Sequence, residues 1–108
     1  MVKRVLIRGA GDIGSTVAHR LFCAGYMVAI HEQSQPTTTR RRMAFADAVF
    51  DGRTELVNVV AVCTDDLSAL LEGLASRTST PIFVGDFQTL LHGVQCDVLI
   101  DARMRKRN

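Results

Sequence analysis

Residues Val5–Gly14 read VLIRGAGDIG, an apolar run that leads directly into three spaced glycines. The consecutive apolar residues Val5–Ile7 are typical of a parallel strand that is covered on both faces. Apolar residues then recur at helical spacing from Ile13 to Ala24, and Gly25 is a stop signal. The sequence here predicts a strand, a tight turn and a helix of about three turns.

A second apolar run, Tyr26–Ile30, ends in His31 and Glu32 and completes a strand–helix–strand unit. Beyond it strands alternate with helices, which is the pattern of an α/β fold. We predict a Rossmann-like, open, mostly parallel sheet with helices on both faces, formed by residues 1–102 as a single domain. The further predicted elements are a helix that ends near Phe50, a strand or hairpin over 54–64 broken near Asn58, a helix capped by Asp65 and Asp66 that ends at Ala75, a strand over 81–84, a helical turn or two over 87–91 and a last strand over 98–101.

The composition indicates one small soluble domain. With 108 residues, of which 47% are hydrophobic and 22% charged, the chain has enough apolar material for a core and too little length for two domains. No apolar run in the sequence is long enough to span a bilayer, and the start does not resemble a signal peptide. We therefore expect a cytoplasmic protein without membrane contact.

The net charge of +2 comes from the basic tail 103–108, because the rest of the chain has nine basic against eleven acidic residues. We therefore expect no nucleic-acid partner. The tail directly follows a strand, which indicates a truncated continuation or a sheet edge covered by another subunit, and predicts a homo-oligomer. The three cysteines, Cys23, Cys63 and Cys96, lie in apolar stretches without metal-ligand spacing, so we expect buried side chains and no metal site.

The glycine pattern Gly9-x-Gly11-x-x-Gly14 is typical of a dinucleotide-binding loop when it joins a strand to a helix. Glu32 closes the second strand 18 residues after Gly14, close to the roughly 20-residue offset of the dinucleotide fingerprint. Gly9 would allow the tight turn, Gly11 the approach of a pyrophosphate to the backbone, and Gly14 the packing of helix on strand. The phosphate would bind the N–H groups at the helix start, and Glu32 would bind ribose hydroxyls.

A glycine-rich turn also serves simply to build this fold, so a purely structural interpretation stays open. Asp12 favours that interpretation, because its carboxylate would repel a phosphate or cap the helix in its place. Arg40–Arg42 offer a phosphate contact, although three consecutive residues spread over about 200° of a helix and only one or two can face a ligand. The candidate cofactor-binding residues are Gly9, Ala10, Gly11, Asp12, Ile13, Gly14, Glu32, Arg40 and Arg41.

The predicted cofactor is NAD or NADP. Glu32 favours NAD because a 2′-phosphate would meet a second anion there, whereas Arg40 or Arg41 would reverse the preference by neutralising that phosphate. Another nucleotide or a molybdopterin-type ligand stays open. The sequence has no convergent acid, base or metal cluster and no room for a substrate domain. We therefore expect no independent catalytic activity; the alternatives are an NAD(P)-binding oxidoreductase subunit and a ligand-sensing or structural module.

Val5–Gly14, joined to Val17–Phe22 and followed by the closing stretch Asp97–Arg103, has a recognisable pattern. It resembles the amino-terminal Rossmann half of the selenium-dependent molybdenum hydroxylase accessory family (YqeB type), which is related to maturation factors of xanthine and carbon monoxide dehydrogenases. The resemblance implies a nucleotide-binding accessory protein that assists the maturation of such hydroxylases, with a molybdenum hydroxylase as client. Family members continue into a second half. Asp12 and His19 fall within the resembling stretch and become candidate site residues without an assigned role.

Overall fold

The computed structural model describes residues 3–33 and 52–103, except for the side chain of Asp12. Its strands are β1 (Arg4–Arg8), β2 (Met27–Glu32), β3 (Arg53–Leu56), β4 (Val59–Thr64), β5 (Thr80–Val84) and β6 (Val98–Asp101). Its helices are α1 (Asp12–Cys23), α2 (Leu67–Ser76) and α3 (Phe87–Val94). The helix predicted to end near Phe50 and the run Arg40–Arg42 lie outside the described residues.

Within the described residues, six strands form one sheet in the order β3-β4-β5-β2-β1-β6. Neighbouring strands are parallel except β3 and β4, which pair antiparallel. The sheet is therefore mixed, and the α/β class predicted from the alternation of strands and helices is confirmed. The register around β1 aligns Arg8 with His31 of β2 on one side and with Asp101 of β6 on the other.

Helices cover both faces of the sheet, because successive residues of a strand point to opposite sides. Val5 of β1 belongs to an apolar cluster with Ala18 of α1. Leu6, the next residue, belongs to a second cluster with Leu70 of α2 and Leu90 of α3. The uninterrupted apolar run of β1 thus reflects a strand buried from both sides, as the sequence predicts.

β3 and β4 form a hairpin, one of the two alternatives that the sequence leaves open for residues 54–64. The turn residues Val57 and Asn58 have φ angles of 45° and 68°. Two-residue turns with positive φ at both positions match the twist of the paired strands. Asparagine tolerates this conformation, but a β-branched valine rarely adopts it, so Val57 is a strained position.

The described helices begin in two different ways. The carboxylate of Asp66 caps α2 by accepting a hydrogen bond from the Ser68 N–H at 3.0 Å, as the sequence predicts. The carboxylate of Asp86 caps α3 by accepting from the Thr89 N–H at 2.9 Å. At α1 the same position is held by Gly11, which has no side chain to offer.

α3 is longer than the turn or two predicted over 87–91, because it continues to Val94. Val94 and Leu90 lie one helical turn apart and are both buried against the sheet, which favours the additional turn. None of the described helices is long and apolar enough to cross a membrane.

Candidate functional site

The glycine loop, residues Gly9–Gly14, follows the carboxyl end of β1, which lies between β2 and β6. The helix that leaves β1 covers one face of the sheet, and the helix that leads into β6 covers the other. The connections on the two sides of β1 therefore run over opposite faces. At such a point the carboxyl ends of the strands bound a crevice, which is where open α/β sheets bind ligands.

Two glycines of the loop are required by the fold. Gly9 has a φ of 101°, and a Cβ added there would lie 3.2 Å from the carbonyl of Ala102. Gly14 brings α1 so close to the loop that an added Cβ would lie 1.9 Å from the Gly9 carbonyl oxygen. The tight turn at Gly9 and the close helix packing at Gly14 both exclude a side chain.

Gly11 differs from its two neighbours in the pattern. Its φ of −74° is accessible to any residue. A Cβ added there would meet no atom of the described residues within 4 Å. The described part of the fold therefore gives no reason for a glycine at this position, and none of its residues fills the space on the Cβ side of Gly11.

Glu32 reaches the glycine loop from the end of β2. Its Oε1 accepts a hydrogen bond from the Ala10 N–H at 2.9 Å, and its Oε2 accepts one from the Gln33 N–H, also at 2.9 Å. The buried hydroxyl of Ser15 donates to the Ala10 carbonyl at 2.8 Å. The N–H and the carbonyl of Ala10 are thus both hydrogen-bonded, the N–H to Glu32 and the carbonyl to Ser15.

Of the other predicted site residues, Asp12 and Ile13 fall within the described part of the chain. Asp12 begins α1, and Ile13 in the first turn is 57% exposed beside the loop. Arg40 and Arg41 lie outside the described residues, so their contact with a phosphate stays a prediction.

A second cluster at the same edge of the sheet involves a residue that the sequence does not single out, Phe87. The guanidinium carbon of Arg8 lies 3.7 Å from the Phe87 ring centroid. The ring of His31 meets Phe87 edge-on, with centroids 5.2 Å apart. Because the Gly85 carbonyl can only accept, His31 donates to it through Nε2–H at 2.8 Å. The sequence indicates that Arg8 and His31 lie close together, because both stand at the ends of neighbouring strands. The contact of Phe87 with these two residues arises only from the tertiary fold.

The cysteines differ in their surroundings. Cys23 is exposed at the end of α1, so the expectation of a buried side chain is wrong there; Cys63 and Cys96 are partly buried. Burial raises the pKa of the Cys63 thiol, with a further contribution from Asp65. Burial also raises the pKa of Cys96. Across residues 3–33 and 52–103, no three His, Cys, Asp or Glu side chains come together in a way that could hold a metal ion.

The fold and the loop define a small α/β domain with a mixed sheet and a glycine-rich strand-to-helix turn. Over 105 residues the chain is 40% identical to the uncharacterized protein YqeB of Escherichia coli (strain K12). The aligned region covers 96% of this chain and 19% of that protein. The chain thus spans about a fifth of the length of this relative. No family model matches the chain. No solved structure matches it either.

Proposed function

We propose that this chain is a Rossmann-like domain that binds a phosphate-bearing nucleotide at the glycine loop. The observation that carries the proposal is the difference among the three glycines. Gly9 and Gly14 have structural reasons, whereas no described residue would meet a Cβ added at Gly11. A ligand whose phosphate rests against the backbone accounts for the one glycine that packing leaves unexplained.

The start of α1 suits an anion. The first N–H groups of a helix have no partner inside the helix, and the helix dipole favours negative charge near them. At α2 and α3, Asp66 and Asp86 bring a carboxylate to this position. Gly11 brings none, so a bound phosphate would take the corresponding place at α1.

Glu32 favours NAD over NADP in this proposal. Its two backbone hydrogen bonds keep the carboxylate beside the loop, where a 2′-phosphate would meet a like charge. The carboxylate oxygens have further lone pairs for ribose hydroxyls. Arg40 or Arg41 would reverse the preference if either lay against that phosphate. Another nucleotide or a molybdopterin-type ligand is the alternative.

We further propose that the domain serves in an accessory protein for the maturation of selenium-dependent molybdenum hydroxylases, with a hydroxylase as client and no turnover of its own. The sequence resemblance and the 40% identity to YqeB support this proposal. Because the chain spans 19% of that relative, the activity and partners of the whole protein belong to the proposal as well. An NAD(P)-binding oxidoreductase subunit and a ligand-sensing or structural module are the alternatives.

A thermal-shift screen tests nucleotide binding. The chain is melted with NAD, NADP, FAD, nucleoside triphosphates and molybdopterin compounds. A ligand at 100 times its dissociation constant adds about 2.7 kcal/mol to the free energy of unfolding, which raises the Tm of a domain this small by roughly 10 °C or more. We expect a shift with NAD that exceeds the shift with NADP.

Gly11→Val is the matched control for the screen. Its side chain blocks the approach to the backbone without entering the core, because an added Cβ would contact none of residues 3–33 and 52–103. We expect the variant to keep its circular dichroism spectrum and to lose the ligand-induced shift. A wild-type chain that no compound stabilises, or an unchanged shift in Gly11→Val, would show that the loop is structural.

The partner proposed for the edge strand β6 is a second copy of this chain. Val98 and Leu99 are 40% and 46% exposed, and β1 is the neighbour of β6 within the described sheet. The opposite edge strand β3 carries exposed Arg53 and Glu55, which discourage pairing. We expect a dimer or larger oligomer by light scattering, a shift to monomer in Leu99→Lys, and no change in Thr54→Lys. A monomeric wild-type chain would contradict this expectation.

A further inference from the structure

A thiol and an imidazole lie side by side at the end of α1 that is remote from the glycine loop. Cys23 is the last residue of α1, and His19 precedes it by four residues, so the two side chains share one helix face. The Cys23 Sγ and His19 Nδ1 atoms are 3.9 Å apart. Cys23 is exposed and His19 is half-buried, so the thiol is accessible while the ring is partly held by its surroundings.

The hairpin turn sets which ring nitrogen of neutral His19 carries the proton. Its Nε2 lies 3.0 Å from the carbonyl oxygen of Val57. A carbonyl oxygen can only accept, so the neutral ring carries its proton on Nε2. Nδ1 therefore has a free lone pair, and this is the atom that faces Cys23.

The carbonyl that orients His19 belongs to a strained residue. Val57 has a φ of 45°, which a β-branched side chain rarely adopts, and it is 73% exposed. The strain therefore does not arise from burying the valine side chain. In this turn conformation, the Val57 carbonyl lies within hydrogen-bonding distance of the His19 imidazole on α1.

Cys63 and Cys96 provide the contrast within the same chain. Both are partly buried, and burial raises the pKa of each thiol, which lowers the fraction of reactive thiolate. Cys23 is the exposed thiol of the three, and it is the one with an imidazole lone pair within 4 Å.

We propose that Cys23 is a site of thiol–disulfide exchange with small-molecule disulfides, with His19 as the proton acceptor. A nucleophile, a base within reach and a third group that orients the base form the arrangement that activates a thiol. The distance between Sγ and Nδ1 is long for a hydrogen bond, and contacts of this kind shorten when the substrate is bound. A small, soft electrophile suits a thiol on an open helix surface.

The exchange step balances without a further reactant. The Cys23 thiol passes its proton to His19 Nδ1, and its sulfur attacks one sulfur of the disulfide. The disulfide bond of the reagent breaks as the new mixed disulfide at Cys23 forms. The departing thiolate takes the proton from the imidazolium and leaves as a thiol, so Cys23 is oxidised and the departing sulfur is reduced.

Reaction with 5,5′-dithiobis(2-nitrobenzoate) tests the proposal on the whole chain. The reaction is stopped at intervals, and mass spectrometry measures the rate of modification at each cysteine. We expect Cys23 to react about tenfold faster than Cys63 and Cys96, because it alone combines exposure with a base. Faster modification of Cys63 or Cys96 in the folded wild-type chain would overturn the proposal without any variant.

Variants separate the base from a structural role of His19. We expect His19→Ala to slow modification of Cys23 about tenfold and free imidazole in the buffer to restore much of the rate, which a merely structural residue would not allow. His92→Gln, on exposed α3 surface, is the matched control and should leave the rate unchanged. An unchanged Cys23 rate in His19→Ala, or no rescue by imidazole, would show that His19 is not the base.

Discussion

α1 and α2 begin with the same extended backbone at the N-cap but with opposite chemistry. At α2, Asp66 supplies a carboxylate that accepts a hydrogen bond from the first turn; at α1, Gly11 has no side chain that could do so. At α2 the hydrogen bond from the Ser68 N–H is thus accepted by a side chain of the same segment. The start of α1 instead leaves its positive end uncapped by a side chain, after the carboxyl end of β1. The comparison shows that one helix start is completed by its own capping side chain, whereas the other has no capping side chain, and this second start is the one that we propose for an anion.

The largest expected effect concerns the geometry that holds the start of α1 against the loop. In Gly14→Ala the new methyl carbon would lie 1.9 Å from the Gly9 carbonyl oxygen, so the helix or the loop must move. We expect the free energy of unfolding to fall by about 3 kcal/mol or more, measured by urea denaturation. Near wild-type stability would mean that the close approach of α1 to the loop is not needed.

Gly11→Asp gives α1 the same N-cap residue as α2, so a side-chain cap replaces the proposed anion-binding position. The new carboxylate would cap the helix and add a few tenths of a kcal/mol to the stability of the free chain. The same carboxylate would occupy the place of the phosphate and repel it, so the stabilisation by nucleotide of about 2.7 kcal/mol should be lost. Thermal melts with and without NAD measure both effects. A variant that gains stability and still binds nucleotide would break the proposed link between the uncapped start and the ligand.

The smallest expected effect is a pH dependence at the cap of α3. The hydrogen bond from the Thr89 N–H lowers the pKa of Asp86 below its ordinary value of 3.8, and the Thr89 hydroxyl adds to the shift. The carboxylate therefore stabilises the fold above the pKa of the unfolded chain, and this contribution is lost as the pH falls through the lower pKa of the folded chain. The Asp86→Asn variant keeps a capping oxygen without the charge.

Urea denaturation at several pH values measures this difference. Wild type should be the more stable of the two near neutral pH, and the two curves should converge as the pH falls below 3.8. A difference that stays constant across this range would mean that the charge of Asp86 does not strengthen the cap.

Much of the site follows from local sequence patterns. The position of the glycine loop between a strand and a helix, and Glu32 at the end of the next strand, are readable because strand and helix periodicities are short-range. The interaction between Glu32 and the Ala10 N–H is not readable in the same way. The fingerprint predicts a ribose contact for this carboxylate, and only the folded chain shows that its oxygens bind backbone N–H groups.

The sequence by itself determined the α/β class, the order of the described elements, the Asp66 cap and the glycine loop, because each depends on neighbours a few residues apart. Only the tertiary structure decided that β6 pairs with β1, that Arg8 lies on Phe87, and that His19 contacts the carbonyl of Val57. These contacts join residues far apart in the chain. They depend on strand order and register, which are set by the summed burial on both faces of the sheet and which no local pattern encodes.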